Sequence, residues 1–547
     1  MKVKSPKEEI GNCLRKILSD KYDIELEPMV EVSPKQEYGD FSTNVSSLLP
    51  EKGKYSFKEF AKTLVDELAG QKEMFKKVVR VGGFINYFLN DNYLFGKLKD
   101  VIKEGEKFGS SNQGKGKKVL VEFVSTNPTG PLNVVNARAA AVGDTLVNIL
   151  NFTGYQADAE FYINDAGRQV EMLGISAEKR FQELKGKSVE IPEDGYKGKY
   201  IIETISKFLD DNKVNNMNEK ERISFFKDYV KDKMIENQRK SLHRFGVKFK
   251  NWISEQAILE KFPVQEVLKR LKKEGDVYKK DGAEWFSTIK YGDDKDRVLI
   301  KQDGTHTYIV SDAAYHKNKF ERGYQHLINL WGPDHHGDIM RLKAAVEAFG
   351  FDPNDLEIII VQQVALVSGG EKEKMSKREG NFVTLDSLLD DVDRDAVRFF
   401  FLMRRVQAHL DFDVELARKL SLENPVYYTQ YCHARISNIL EFADEKGIKP
   451  PLECDFSLLT KLEERELAKG VLLFPWVVKN AVERREIHKV PYYLLDLSKN
   501  FHSYYQKYRV VCDDEKLTMA RLLLVRAVKK AIGNGLSLIG VTAPEKM

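Results

Sequence analysis

A chain of 547 residues exceeds what one hydrophobic core can serve, so about three or four domains are expected. With 42% hydrophobic and 31% charged residues and no apolar run of about 18, it reads as a soluble protein without a membrane-spanning helix, and its charged start lacks a signal-peptide core. The 87 basic and 83 acidic residues nearly cancel, which neither demands nor excludes a nucleic-acid partner, while Cys13, Cys432, Cys454 and Cys512 lie too far apart for a disulfide framework or zinc site and fit a cytoplasmic setting.

The first 110 residues read as an α/β module. Ile10, Leu14, Ile17 and Leu18 recur at helical spacing, and Val78–Leu89 reads as strand, glycine turn, strand. Between them the segment from Gln36 to Asn44, with Tyr38 and Asp40, is on its own a loop capping a helix. Gly105–Lys118 is a linker by composition.

Val119–Val124 is a short apolar, β-branched run of the kind buried in parallel sheets. A polar turn from Ser125 to Gly130 follows, and then Val135, Ala139, Val142, Leu146 and Ile149 at helical steps. Strand, polar loop and helix N-terminus together offer free N–H groups to an anion, although the shape is equally that of an ordinary β–loop–α unit. A second strand, Ala159–Ile163, leads into Asn164-Asp165-Ala166-Gly167-Arg168-Gln169. Residues from about 185 to 300 carry long charged helices, such as Glu219–Phe245, and read as an insertion with a solvated face.

Thr307 onward reads as a short strand entering a helix whose first turn carries Asp312. Leu327–Trp331 is another buried strand, and Gly332-Pro333-Asp334-His335-His336-Gly337 follows it, where open α/β sheets bind ligands. Adjacent histidines diverge, so no metal site is expected there. After the strand Leu356–Val364 comes a loop over 369–381 that contains Lys374-Met375-Ser376-Lys377. From Asp395 the pattern is helical to the end, and Arg521, Arg526, Lys529 and Lys530 edge one helix opposite Leu522, Leu523, Val525 and Val528.

Together these segments resemble class I aminoacyl-tRNA synthetases, most closely arginyl-tRNA synthetases, over essentially the whole chain. Ser125, Asn127, Pro128, Thr129, Gly130, Pro131, Leu132, Val134 and Arg138 match the family's first signature, and Lys374–Lys377 is its KMSK. Gly39-Asp40-Phe41-Ser42-Thr43-Asn44 is similar to an element of the family's N-terminal domain. Asn424-Pro425-Val426-Tyr427-Tyr428-Thr429-Gln430-Tyr431, with His433-Ala434-Arg435, is similar to the start of its anticodon-binding domain. The fold so implied is multidomain α/β. It has an N-terminal α/β tRNA-binding module over 1–110, a class I Rossmann-like parallel-sheet catalytic domain over 111–395, and an all-α stem-contact and anticodon-binding domain over 396–547.

The resemblance also implies a chemistry and its residues. Ser125, Asn127, Asn136, Tyr308, Asp312 and His335 would hold L-arginine, a carboxylate being the natural bidentate partner of a guanidinium and an aromatic face stacking on it. Asn133, Val135, Asn136, Gly332, Asp334, His336, Lys374, Met375, Ser376 and Lys377 would bind ATP with its Mg2+. Of these, Lys374, Lys377, Asn133 and Asn136 would act on the α-phosphate as it becomes pentacoordinate. Tyr38, Asp40, Asn44, Tyr427, Tyr428, Tyr431, Arg435, Arg521 and Arg526 would contact tRNA(Arg). A monomer with no membrane association and no tightly bound metal is expected, with adenylate formation that requires bound tRNA.

Asn133, Val135 and Asn136 depart from the family, which has histidine, glycine and histidine there. Asparagine keeps a donor but carries no charge, and valine crowds the place of the adenine. Three readings follow: a working synthetase with a variant signature, a degenerate paralogue that binds tRNA without charging it, and an ATP-binding nucleotidyltransferase that uses no tRNA.

Overall fold

The computed structural model describes residues 2–49, 56–369, 371–372, 383–449 and 452–547. Its contacts divide the chain into two compact units, Met1–Ser111 with Ser421–Met547, and Asn112–Leu420.

In the first unit the helix Pro6–Tyr22 opens with proline at its first position and with the Glu8 carboxylate accepting from the Ser5 N–H at 3.2 Å, and it buries Ile10, Leu14, Ile17 and Leu18 as their spacing predicts. The expected strand–turn–strand is an antiparallel pair, Phe75–Val81 and Phe84–Leu89, in a four-stranded sheet with Phe41–Asn44 and Glu31–Val32. The C-terminal part of this unit contains four long helices, Pro425–Glu445, Leu462–Glu483, Lys489–Lys507 and Glu515–Leu538. Asn424 caps the first of them, its side chain accepting from the Val426 N–H. Leu522, Leu523, Val525 and Val528 are buried in the last.

The second unit is built on a five-stranded parallel sheet. Its elements run β1 (Lys118–Glu122), α1 (Val134–Phe152), β2 (Gln156–Ile163), α2 (Arg168–Leu184), α3 (Glu219–Arg244), β3 (Asn251–Ser254), α4 (Tyr308–Glu321), β4 (His326–Trp331) and β5 (Leu356–Ile360). Strand order is β5-β4-β1-β2-β3, every neighbouring pair parallel. The chain builds outward from β1 in one direction and then returns to its other side with β4. The crevice beyond the carboxyl ends of β1 and β4 is therefore the topological switch point where such sheets bind ligands. α1 lies flush on this sheet because residue 143 is glycine: a Cβ there would sit 2.2 Å from the Phe123 ring.

Four sequence expectations are corrected. No strand precedes Asp312; Thr307 caps a helix that already includes Tyr308, so Asp312 stands in its second turn. The Tyr-Ile-Val run is β-prone locally, but Ile309, Val310, Ala313 and Ala314 pack into a core cluster at helical spacing, and that packing overrides propensity. The stretch 185–300 carries the long charged helix α3 as expected but is not only an insertion with a solvated face. It supplies β3, an edge strand of the main sheet, and an antiparallel sheet of Val277–Lys280, Ala283–Phe286 and Arg297–Ile300. Leu356–Val364 is not one strand either: β5 ends at Ile360, and Val364–Ser368 belongs to a different sheet, parallel to Leu410–Asp413. That last strand also interrupts the helical run expected after Asp395. Among the described residues no helix is long and apolar enough to cross a membrane.

Candidate active site

Directly after β1 the backbone is strained. Val124 has φ +69° and Ser125 φ +36°, values that a β-branched residue in particular avoids. The Ser125 N–H donates to the Phe123 carbonyl at 3.0 Å, closing a three-residue turn of the rare positive-φ kind. Such conformations cost about 1–3 kcal/mol each and persist only where the surroundings impose them. Here Ser125 Oγ accepts from the Tyr162 N–H at 3.1 Å, at the end of β2, and Asn127 Nδ2 donates to Gln169 Oε1 at 2.5 Å. The turn aims Ser125 and Asn127 over the carboxyl edge of the sheet.

Asp312 faces this edge from α4. It is half-buried, and no side chain among the described residues hydrogen-bonds its carboxylate. Burial pushes its carboxyl up to about 7; Arg341 draws it down, and Glu255, Glu122 and Asp338 push it further up. Glu255, at the start of the helix after β3, is also raised, first by burial, with Asp165 adding to it and a Ser311 hydrogen bond opposing. Tyr162 lies among the same groups: burial raises its phenol, and Glu255, Asp312, Glu122 and Asp165 all add to the effect. Ser125 and Asp312 thus converge on Tyr162, within a cluster of carboxylates. A group of carboxylates in which Asp312 has no side-chain partner among the described residues favours a cation.

A buried polar network fixes the floor. Lys319, fully buried, pairs with Glu122 and donates to Asn329 Oδ1 at 3.1 Å. His316 Nδ1 lies 2.8 Å from the Asp312 carbonyl, and its Nε2 lies 2.7 Å from Asn329 Nδ2. A carbonyl accepts and an amide nitrogen donates, so the imidazole is neutral with its proton on Nδ1. Burial and the Lys319 charge hold its pKa well below the usual range. Beside it Arg322 makes a bidentate pair with Glu160 at 2.6 and 2.8 Å, and Tyr315 donates to Glu160 at 2.6 Å.

At the N-terminus of α1, Asn133 and Asn136 form a reciprocal capping box. Asn133 Oδ1 accepts from the Asn136 N–H at 3.0 Å, and Asn136 Oδ1 accepts from the Asn133 N–H at 3.1 Å. Both carbonyl oxygens are engaged, and neither Nδ2 has a partner among the described residues. Val135 between them is half-buried. The segment that follows the lysine-rich loop returns to the same place: Thr384 bridges Asn133, and the Leu385 N–H donates to the Leu132 carbonyl at 2.8 Å. Lys374, Met375, Ser376 and Lys377 themselves lie outside the described residues.

After β4, residues Pro333–Asp338 form a 3-10 turn with Asp334, His335 and His336 exposed and Gly332 at its cap. His335 Nδ1 is 3.1 Å from Asp338, which also pairs with Arg341 at 3.0 Å. Tyr308, at 65% exposure, stands open at the start of α4. Among the described residues no group of three or more His, Cys, Asp or Glu side chains is arranged to hold a metal ion.

The residues expected to meet RNA fall in the first unit and divide by burial. Tyr38 is exposed, and Asn44 caps the short turn Val45–Leu48. Tyr427 and Tyr431 stack in parallel, and the Arg435 guanidinium lies 5.0 Å from the Tyr431 ring and 5.2 Å from the Tyr505 ring; Tyr428 packs edge-on against His502. Arg526 is half-buried and already partnered. Two of these residues are paired inside the unit. Asp40 is buried and its carboxylate is taken up by the Leu89 N–H and by Arg465, while Arg521 is buried against Glu464 at 2.8 Å and the Arg509 carbonyl at 2.7 Å. Both hold the unit together, because each finds an internal partner that sequence spacing does not show.

Sequence reasoning missed Tyr162 and Glu255. Tyr162 sits in the apolar alternation of a strand, and Glu255 follows an edge strand too short to read. Only the position of Tyr162, one residue before the last of β2, carried a signal.

The sheet and its switch-point crevice fall inside the stretch that matches the catalytic domain of class I aminoacyl-tRNA synthetases, and the chain is one of that class. Three family models match in chain order: arginyl tRNA synthetase N terminal domain over residues 5–89, tRNA synthetases class I (R), catalytic domain over 97–407, and DALR anticodon binding domain over 429–547. The chain belongs to the arginyl-tRNA synthetase family. It is 46% identical to the arginine–tRNA ligase of Syntrophotalea carbinolica, over 95% of this chain and 94% of that one. To that of Bacillus subtilis it is 44% identical, with the same 95% and 94% coverage. The solved Thermus thermophilus arginyl-tRNA synthetase, at 21% identity, shares the fold with a TM-score of 0.81 over 99% of this chain and 100% of that one.

Proposed function

We infer that this chain is an arginine–tRNA ligase. The arginine carboxylate attacks the α-phosphorus of ATP, pyrophosphate leaves, and the 3′-terminal ribose hydroxyl of tRNA(Arg) then attacks the adenylate carbonyl, releasing AMP. No covalent intermediate with the protein is needed. The observation that carries the amino acid's identity is Asp312, a carboxylate without a side-chain partner among the described residues, with Glu255 and Glu122 near it at the carboxyl edge of the sheet. A guanidinium supplies the missing charge and a planar fork of donors. An amino acid without it leaves that charge unpaired, which is why discrimination needs no second editing site.

In this reading Ser125, Asn127, Asn136, Tyr308 and His335 surround the arginine. Asn133, Val135, Asn136, Gly332, Asp334, His336 and the loop Lys374–Lys377 take the nucleotide, with Mg2+ arriving on its phosphates. The two Nδ2 groups of the capping box supply the donors that histidines supply elsewhere in the family. A degenerate paralogue is not favoured, because Asp312 stands ready for a cation and both Nδ2 groups of the box are left to donate. Tyr38, Asn44, Tyr427, Tyr428, Tyr431, Arg435 and Arg526 form the tRNA-facing set, on domains 1–110 and 396–547 that flank a catalytic domain over 111–395. The enzyme acts as a cytoplasmic monomer.

The test is charging of tRNA(Arg) with labelled arginine, with ATP–pyrophosphate exchange run with and without tRNA. Charging, with exchange only when tRNA is present, is the expected result. Tight tRNA binding with neither reaction above background would overturn it.

A further inference from the structure

The helix α3 belongs to the charged stretch that carries no catalytic vocabulary in the sequence, yet one of its faces holds the site's most strained loop. Gln238 is fully buried, and its Nε2 donates to the Asn127 carbonyl at 3.2 Å and the Gly130 carbonyl at 2.9 Å. Tyr200, from the same stretch, donates its hydroxyl to the Thr129 carbonyl between them at 2.6 Å. Three backbone carbonyls of one loop are thus gripped by two side chains 71 to 111 residues further along. One turn on from Gln238, Ser241 donates to Asp386 at 2.5 Å and Arg244 pairs with Asp390 at 2.7 Å. These acceptors lie on the helix Leu385–Asp391, whose first residue bonds Leu132. Residues 238, 241 and 244 are spaced by three and share a face, so a single helix edge touches both the loop after β1 and the segment that returns to α1.

We propose that Gln238 is a positioning residue for arginine binding, acting through the carbonyls of Asn127 and Gly130, which bracket the loop that carries the Asn127 side chain. The proposal rests on the assignment of Ser125 and Asn127 to the arginine site. One feature separates it from ordinary packing: both donor hydrogens of its amide are used on backbone carbonyls of a single loop, whose preceding residues are held at positive φ. A side chain of the same length without donors would leave the core filled and the loop released.

Gln238→Met and Tyr200→Phe in the full chain supply that change, with Asn127→Ala alongside and tRNA-dependent pyrophosphate exchange as the assay. Gln238→Met is expected to raise KM for arginine about tenfold, and Tyr200→Phe by a smaller factor, with KM for ATP within about twofold of the parent. The double variant Gln238→Met/Asn127→Ala is expected to be no worse than Asn127→Ala, because the first residue works through the second. If Asn127→Ala raises KM for arginine but Gln238→Met and Tyr200→Phe leave it unchanged, the proposal fails and the arginine-site assignment stands. If Asn127→Ala itself leaves KM unchanged, the assignment fails and the proposal with it. A uniform fall in rate with unchanged KM values, or a lowered Tm alone, also overturns it. Should Gln238→Met not fold, Tyr200→Phe decides by the same criteria.

Discussion

Asn133 and Asn136 close a ring of two hydrogen bonds, each amide oxygen taking the other residue's backbone N–H at 3.0–3.1 Å. The residues that replace the family's histidines are therefore the helix cap as well as the candidate phosphate donors. Asparagine does both because its oxygen and its NH2 group are separate. Asn136→Asp separates the roles: the carboxylate still accepts from Asn133, so the cap holds, but the donor is gone and a negative charge faces the phosphates. The melting temperature is expected to stay within about 2 °C of the parent, while kcat for exchange falls about 10²–10³-fold. Normal exchange by the folded variant would show that this amide donates to nothing in the transition state.

Asp312 gives arginine binding a pH dependence. Its carboxyl titrates at about 7 in the free enzyme, burial being the main cause, and a guanidinium pairs only with the ionised form. KM for arginine is therefore expected to be flat above about pH 8 and to rise about tenfold per unit below about pH 6. KM for ATP supplies the internal control and should not follow. Initial rates of exchange across this range check it, and a flat arginine KM between pH 6 and 8 would contradict it.

The same carboxylate lowers stability when the site is empty. The folded-state pKa of Asp312 lies above the ordinary value of 3.8, so its ionised form is disfavoured by the fold above about pH 7, and the penalty fades as pH falls toward the unfolded value. Asp312→Asn is expected to raise Tm by on the order of 2 °C at pH 8, with no gain at pH 4, and to abolish arginine activation. Thermal melts at the two pH values, with arginine absent, test the sign.

Beneath the site, Lys319 and Glu122 are both buried and depend on each other. Lys319→Met leaves Glu122 with no compensating ammonium and is expected to cost about 3–5 kcal/mol in urea unfolding. Adding Glu122→Gln should recover part of that loss, since the uncompensated charge then disappears. A single-variant loss below about 1 kcal/mol would show that the pair contributes little.

Much of this was legible before any coordinates. β1, its polar loop and the helix beyond it could be read because burial on both faces demands a continuous apolar run, and a turn must interrupt it with hydrogen-bonding residues. Asp312 was legible as a residue and misplaced by a turn, since a β-branched run does not say whether packing or propensity wins. Asp40 and Arg521 look like RNA contacts in sequence and are buried ion pairs in the fold. Nothing local distinguishes a charge that finds a partner 57 or 425 residues away. Gln238 was illegible for the same reason: its partners are backbone carbonyls, which leave no trace in residue identity.

Arg138 shows how such a contact can nevertheless be tested. Its guanidinium is fully buried in α1 and donates to three carbonyls, Gln362 and Ala408 at 2.8 Å and Arg405 at 2.9 Å. Gln362 and Ala408 each stand two residues ahead of a strand, and those strands, Val364–Ser368 and Leu410–Asp413, are parallel neighbours that begin in register, Val364 opposite Leu410. One side chain therefore fixes the entry of both. Lysine brings an ammonium without the planar fork, and cannot reach three acceptors in the same geometry. Arg138→Met withdraws the donors altogether, at about 1–3 kcal/mol for each buried acceptor left wanting. Arg138→Met is expected to lose about 3 kcal/mol or more and Arg138→Lys roughly half as much, with the parent's m-value kept in both. Equal losses in the two variants would mean that the site needs volume rather than directed donors, and a neutral Arg138→Met would mean that the two strands are held in place without it.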